Sequence, residues 1–354
     1  MSIRTIGASE ALSQLATFDT IIDARSEDEY ALDHLPGAVN WPTLRNGERV
    51  EVGTLHRHDP LQARKQGAVY AARNIAAHVE REVLDKPRSW RPLVYCWRGG
   101  QRSGALATIL GAIGFAVTRL DGGYKAWRAA LVADIPYRVA ALSFRVVCGP
   151  TGSGKTRLLH ALAAEGAQVL DLEALACHRS SVLGLMPGQA QPSQKRFDSL
   201  IWERLRAFDP ARPVYVESES KKVGNLRIPD ALVEAMHASP CIDVHLPEPE
   251  RVALLLEDYD FFVRDRALFV ERLRALTALA GRSTVEAWVA QVNAGHLDEV
   301  VLALLTQYYD PRYAASIRRH FARYDDATPL ILADRSAASL RDAARELLAR
   351  DAAG

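Results

Sequence analysis

Two short segments of this 354-residue chain carry residue types that do chemistry. The first is residues 93–103, LVYCWRGGQRS. An apolar run delivers Cys96 into a turn containing Gly99 and Gly100, and a helical pattern follows. Glycines let backbone N–H groups turn inward. Inward amides at a helix start cradle an anion. With Arg98 and Arg102 beside it, such a cradle favours the thiolate, the nucleophilic form of cysteine. A buried structural cysteine would need none of these neighbours. The second segment is Gly149-Pro150-Thr151-Gly152-Ser153-Gly154-Lys155-Thr156, which fits G-x-x-x-x-G-K-[ST] in full. It follows an apolar run and opens a helical one, the setting this phosphate-binding loop requires. Gly149, Thr151, Gly152, Ser153 and Gly154 would present the loop backbone to a di- or triphosphate. Lys155 would add charge, and the Thr156 hydroxyl would bind magnesium.

Such a loop needs an acid ending a neighbouring strand. Glu217 closes the run Val214-Tyr215-Val216, and Asp171 follows Val169-Leu170. Both are candidate acids or metal ligands, because ligand sites of open α/β sheets lie at the carboxyl ends of strands. His34 is expected to hydrogen-bond the backbone rather than react. Asp23 and Arg25 are expected to form a structural ion pair.

The elements that must position these residues follow from short apolar runs alternating with amphipathic patterns. The runs lie at 20–23, 92–95, 116–120, 144–148, 167–170, 214–217, 241–246 and 329–332. Helical stretches are expected at 104–113, 124–131, 156–165 and 339–349. Residues 262–323 are long, helical and nearly free of breakers, as an insertion or cap would be. The pattern lapses near 133–143, where Pro136 interrupts it. The reading is an α/β fold with mainly parallel sheets: a first domain over 1–135, a linker at 136–143, and a phosphate-loop domain over 144–354.

Composition is that of an ordinary globular protein, 48% hydrophobic and 25% charged. Charge nearly balances, 44 basic against 43 acidic residues. No global basic field therefore attracts nucleic acid, and such a partner would need charge gathered locally. Arg64-Lys65, Lys195-Arg196, Lys221-Lys222 and Arg318-Arg319 are the basic groups available. The four cysteines, at 96, 148, 177 and 241, form no CxxC pair or zinc pattern. Residues 1–20 lack the apolar core of a signal peptide, and no stretch is long and apolar enough to span a membrane. The expectation is a cytoplasmic protein with reduced thiols and no membrane partner.

Residues 22–30, IDARSEDEY, and His34-Leu35-Pro36-Gly37-Ala38, with the cysteine loop at its spacing, resemble the rhodanese family. That resemblance covers roughly residues 4–135 and implies a parallel-sheet domain whose cysteine carries a chalcogen. One departure stands out: Cys96 to Arg102 is C-x5-R, one residue longer than the common sulfurtransferase loop. A wider loop suits a tetrahedral oxyanion, as in phosphatases of that fold, and hence a phosphate-like donor.

Over the whole chain, a rhodanese-like domain followed by a P-loop domain is similar to the tRNA 2-selenouridine synthase family. The resemblance rests on residues 96–103 (CWRGGQRS), residues 149–156, Glu217-Ser218-Glu219-Ser220, and Leu255-Leu256-Glu257-Asp258-Tyr259. Val52-Gly53-Thr54 and Gly67-Ala68 add to it. It implies a transferase acting on tRNA with a 2-thiolated wobble uridine. Geranyl diphosphate would alkylate the sulfur, and selenophosphate would then supply selenium. Cys96, Arg98 and Arg102 would serve the selenium step. The loop with Lys155 and Thr156 would hold the geranyl diphosphate. Lys221, Lys222, Arg64 and Lys65 are the tRNA-binding candidates. No tightly bound cofactor is implied beyond magnesium, and a selenophosphate-supplying enzyme fits as a partner. The alternative is a sulfurtransferase or rhodanese-fold phosphatase coupled to a P-loop kinase or ATPase. A non-catalytic docking module is disfavoured by the intact Cys96 and its glycines.

Overall fold

The computed structural model describes residues 3–179 and 188–353. The chain forms two compact units, one of Met1–Ile135 with Ser193–Glu203, the other of Pro136–Pro192 with Arg204–Gly354.

In the first unit, β1 (Arg4–Ile6), β2 (Thr20–Asp23), β3 (Ala38–Asn40), β4 (Pro92–Tyr95) and β5 (Thr118–Leu120) make one parallel sheet, ordered β1-β5-β4-β2-β3. Central β4 is buried along its whole length. That is why it reads as an unbroken apolar run rather than an alternating one. Val94 packs with Ile22, Trp90, Leu106, Leu110 and Phe115 in the core. The helix after the cysteine loop is Gln101–Ile113, ended by Gly114 in the left-handed region. The helix after β5 is Gly123–Ala140, longer than the pattern implied, and it carries Pro136 inside it.

Residues 193–203 join this unit from far along the chain, on the helix Gln194–Ala207. Fully buried Trp202 meets Trp127 edge-on at 5.5 Å and donates its Nε1–H to Asp134 at 2.8 Å. Arg128 pairs with Asp198. No signal in the sequence assigned this helix face to the first sheet.

In the second unit, β6 (Phe144–Cys148), β7 (Gln168–Leu170), β8 (Val214–Glu217), β11 (Cys241–His245) and β12 (Thr328–Ile331) form a parallel sheet, ordered β12-β11-β6-β8-β7. Between β8 and β11 lies a small antiparallel pair, β9 (Lys222–Val223) and β10 (Leu226–Arg227). Helices Lys155–Ala164 and Ala337–Ala353 pack together through Leu158, Leu162, Leu340 and Leu347. Helices from Glu248–Asp258 to Asp310–His320 fill the stretch between β11 and β12. Most of them share a core of their own, including Phe262, Phe269, Leu273, Trp288 and Leu304. The α/β reading, with a helical insertion before the last strand, holds.

Candidate functional site

In each unit the candidate loop lies just beyond the central strand of a parallel sheet. In the first unit, Cys96 follows β4 and is 3% exposed. Ser103, on the first turns of helix Gln101–Ile113, donates its hydroxyl to Cys96 Sγ at 3.1 Å. The loop is fixed from behind by the start of helix Gly123–Ala140. Tyr124 N–H donates to Cys96 O at 2.8 Å, and Lys125 N–H donates to Trp97 O at 3.0 Å. Gly123 has φ +57°, and a Cβ there would lie 2.2 Å from Cys96 O. Only glycine lets the two segments approach so closely.

Arg98 is exposed on the loop. Arg102 is engaged by Glu29 at 2.7 Å, and Arg49 reaches the same carboxylate at 2.9 Å. Burial works against the Glu29 charge, but Arg102 and Arg49 outweigh it and hold the carboxyl below its usual range. Glu29 also closes the capping box with Ser26 at the start of helix Glu27–Leu32, so Arg102 is tied to a fixed element. His34 stacks on Tyr30 at 4.0 Å and bonds Tyr30 O at 3.0 Å, the structural role expected of it. Arg25 and Asp23 are fully buried and bonded at 2.6 Å, and Tyr95 Oη donates to Asp23 at 2.7 Å.

The helix Gln194–Ala207 brings two more groups. Lys195 Nζ lies 5.5 Å from the Trp97 ring, which rests against Tyr124. Ser199 donates to buried Asp33 at 3.0 Å, and Tyr124 Oη donates to the same carboxylate oxygen at 2.7 Å. Burial nevertheless leaves Asp33 above its ordinary value. Lys195 is thus adjacent to the cysteine loop, although in sequence it reads only as part of a basic pair.

In the second unit the phosphate-binding loop leaves β6 and runs into helix Lys155–Ala164. Gly149 has φ +142°, and a Cβ there would meet Ser153 Oγ at 2.5 Å and Val244 O at 2.6 Å. Lys155 Nζ donates to Gly149 O at 2.9 Å and Pro150 O at 3.3 Å, so it sits within its own loop. Arg251 straps the loop, donating to Thr151 O at 2.7 Å and pairing with Asp310 at 2.7 Å. The Gly149 N–H donates to Tyr313 Oη at 2.5 Å.

This loop floors a cleft of about 910 Å³. Glu217, at the end of β8, lines it with Glu173 and Glu219. One oxygen from each of the three carboxylates lies within 4.8 Å of the others. Glu217 is 6% exposed, and its Oε1 is buried with no hydrogen-bond partner. Burial, then the charge of Glu173, pushes its carboxyl up to about 7; Lys155 and the Thr156 hydroxyl pull the other way. Asp171 stands elsewhere: it caps helix Leu172–Ala176 through Ala174 N–H at 2.8 Å and faces His160 Nε2 at 3.0 Å. Glu173, two residues on, takes the place in the cleft considered for Asp171. The spacing Glu217-Ser218-Glu219 and the acid just past β7 were the available signals.

Lys221 and Lys222 line the same cleft, with Arg157, Arg179 and Arg312. Arg64 and Lys65 are exposed on helix Pro60–Glu82 of the first unit.

The class is therefore a two-site α/β protein, with a cysteine loop on one parallel sheet and a phosphate-binding loop on the other. Residues 7–130 match the family model of the rhodanese-like domain, and residues 142–274 match that of the tRNA 2-selenouridine synthase AAA domain. The tRNA 2-selenouridine synthase of Nitrosomonas europaea is 36% identical over 254 residues, covering 70% of this chain and 66% of that protein. Those of Alcanivorax borkumensis (30% identity; 84% of this chain, 90% of that protein) and Cupriavidus necator (32%; 86% and 89%) align over nearly their whole lengths. The chain belongs to the tRNA 2-selenouridine synthase family, and it is an enzyme of the transferase class. Among the described residues, no helix is long and apolar enough to cross a membrane.

Proposed function

We propose that this enzyme converts the 2-thiouridine at a tRNA wobble position into 2-selenouridine in two steps, one at each site. In the first, the thiocarbonyl sulfur attacks C1 of geranyl diphosphate, the C–O bond breaks, and pyrophosphate leaves. In the second, selenium of selenophosphate attacks C2, the geranylthio group leaves as the thiolate, and the P–Se bond breaks as water takes up the phosphoryl group as phosphate. Alkylation matters because a thiocarbonyl sulfur leaves poorly, whereas a thiolate leaves well from a more electrophilic C2. The observation that carries this reading is the presence, in one chain of this family, of a complete cysteine loop and a complete diphosphate loop.

Gly149, Thr151, Gly152, Ser153, Gly154 and Lys155 would hold the diphosphate, and Lys155 would stabilise the charge that develops on departing pyrophosphate. The cleft's oxygen donors fit a hard divalent cation such as magnesium: Thr156, Glu217, and beside it Glu173 and Glu219. Bound there, the ion would neutralise pyrophosphate oxygens. Asp171, capping a helix, would act on Glu217 through charge rather than as a ligand. Cys96 would handle the selenium donor, with Arg98 drawing in its anionic phosphoryl group. Arg102, held by Glu29, would set the loop's charge and shape. Lys221, Lys222, Arg64 and Lys65 are the groups offered to tRNA phosphates. The chemistry suits the cytoplasm, where thiols stay reduced.

The test is mass spectrometry of nucleosides from 2-thiouridine tRNA treated with geranyl diphosphate and then selenophosphate, without ATP. S-geranyl-2-thiouridine followed by 2-selenouridine is the expected result. Unchanged 2-thiouridine, not rescued by ATP, would sink the reading.

A further inference from the structure

A smaller hollow opens from the large cleft of the second unit. It measures about 50 Å³, and Thr151, Leu255, Tyr259 and Tyr309 line both spaces. The hollow thus begins at the phosphate-binding loop. Leu255 is pressed onto that loop, since a Cβ on Gly152 would lie 3.1 Å from Leu255 Cδ1. Apart from Thr151 and the two tyrosines, its wall consists of Leu, Val and Phe side chains, including Val301 and Leu305. A nucleotide base would leave its polar edges unsatisfied there, at a cost a hydrocarbon does not incur. The far wall comes partly from Leu304–Tyr309, where the helix widens to π-helical geometry, a rare form that occurs often at functional sites.

We propose that this slot is the prenyl-chain subsite of the diphosphate site. The diphosphate rests on the loop of Lys155. The chain runs over Leu255 between Tyr259 and Tyr309, and its end enters the slot against Val301 and Leu305. The assignment rests on the geranyl diphosphate reading above and adds the residues that set chain length. With about 10–15 Å³ needed to hold one water, the slot has room for roughly four waters or the last few carbons of a chain. A dimethylallyl chain would fill the least of this path, a geranyl chain more of it, and a farnesyl chain would exceed the slot's volume.

The test uses the 354-residue enzyme and two variants, Val301→Phe to fill the slot and Leu305→Ala to enlarge it. Calorimetry gives Kd for inorganic pyrophosphate and for dimethylallyl, geranyl and farnesyl diphosphates, and prenyl transfer to 2-thiouridine tRNA is measured in parallel. The wild type is expected to bind geranyl diphosphate at least about tenfold more tightly than pyrophosphate, from burial of the chain. Val301→Phe should lose that margin while keeping its Kd for pyrophosphate. Leu305→Ala should raise the ratio of farnesyl to geranyl transfer about tenfold. If Val301→Phe does not fold, Leu305→Ala, which removes volume, decides alone. If the folded variants keep the wild-type margin and chain-length order, the chain lies elsewhere and the assignment falls. A wild type with no prenyl transfer and no margin over pyrophosphate is a separate result, which overturns the geranyl reading itself.

Discussion

In the first unit, the buried Asp23–Arg25 pair is matched. Asp23 and Arg25 meet at 2.6 Å, Tyr95 and the Arg25 N–H complete the carboxylate's bonds, and Arg25 also donates to Asp33 O at 2.6 Å. Burial opposes the Arg25 charge, yet Asp23 more than offsets it and raises the guanidinium above its usual range. In the second unit, the charge around buried Glu217 is mismatched. Glu217 sits beside Glu173 and Glu219 with one oxygen unbonded, and its carboxyl is pushed up to about 7. Neutralised, bonded charge holds a fold in one arrangement. Crowded like charge is costly by itself and becomes favourable when a cation arrives. The first pattern is that of scaffold, and the second is what the proposed cation site would need.

The largest effects should separate the two units' chemistry. Lys155→Ala should lower geranylation roughly 10²–10³-fold, the usual loss when a charge-stabilising group is removed. It should still permit selenation of tRNA geranylated beforehand. Cys96→Ser should do the reverse, abolishing selenation and sparing geranylation. Nucleoside mass spectrometry of each step reads both. A parallel loss of both steps in either variant would break the division between the units.

The next test compares the two kinds of buried charge directly. Arg25→Leu strands Asp23 and should cost about 3–5 kcal/mol in urea denaturation. Glu217→Gln should instead raise the melting temperature at pH 8 without divalent cation, on the order of a few degrees. The sign follows from linkage. Glu217 has a folded-state value raised from 4.5 to about 7, so between these the folded protein holds a proton that the unfolded chain has released. Its contribution to stability therefore falls as pH rises across that window and levels off above it. Magnesium should remove this loss in the wild type, whereas Glu217→Gln, which does not titrate there, should show neither the loss nor a comparable response to magnesium. If Glu217→Gln destabilises like Arg25→Leu, Glu217 is scaffold and the contrast fails.

The smallest expected effect concerns the cleft mouth. Lys221→Glu with Lys222→Glu should weaken tRNA binding and lower the magnitude of its salt slope by about two, at nearly one released counterion per phosphate contact. An equal change from Arg64→Glu with Lys65→Glu would place the two basic pairs on one footprint. No change from either pair would put the footprint elsewhere.

Much of this molecule is set by local sequence. Strands β2, β4, β6 and β8 fall on the apolar runs that mark them, because strands buried on both faces tolerate few polar residues. The cysteine turn and the phosphate loop are equally legible, since their glycines answer to backbone geometry within a few residues. Long-range packing decided the rest. Nothing near residue 194 announces that Lys195 will lie by Trp97, because a helix's apolar face shows that it is buried but not against what. Asp171 and Glu173 are both acids just past β7, and the sequence offers no means of choosing between them. The turn after β7 makes one a helix cap and sends the other toward Glu217. The apolar slot lies between Leu255 and Val301, residues on separate helices, and a cavity is a property of how elements fail to fill space together rather than of any one of them.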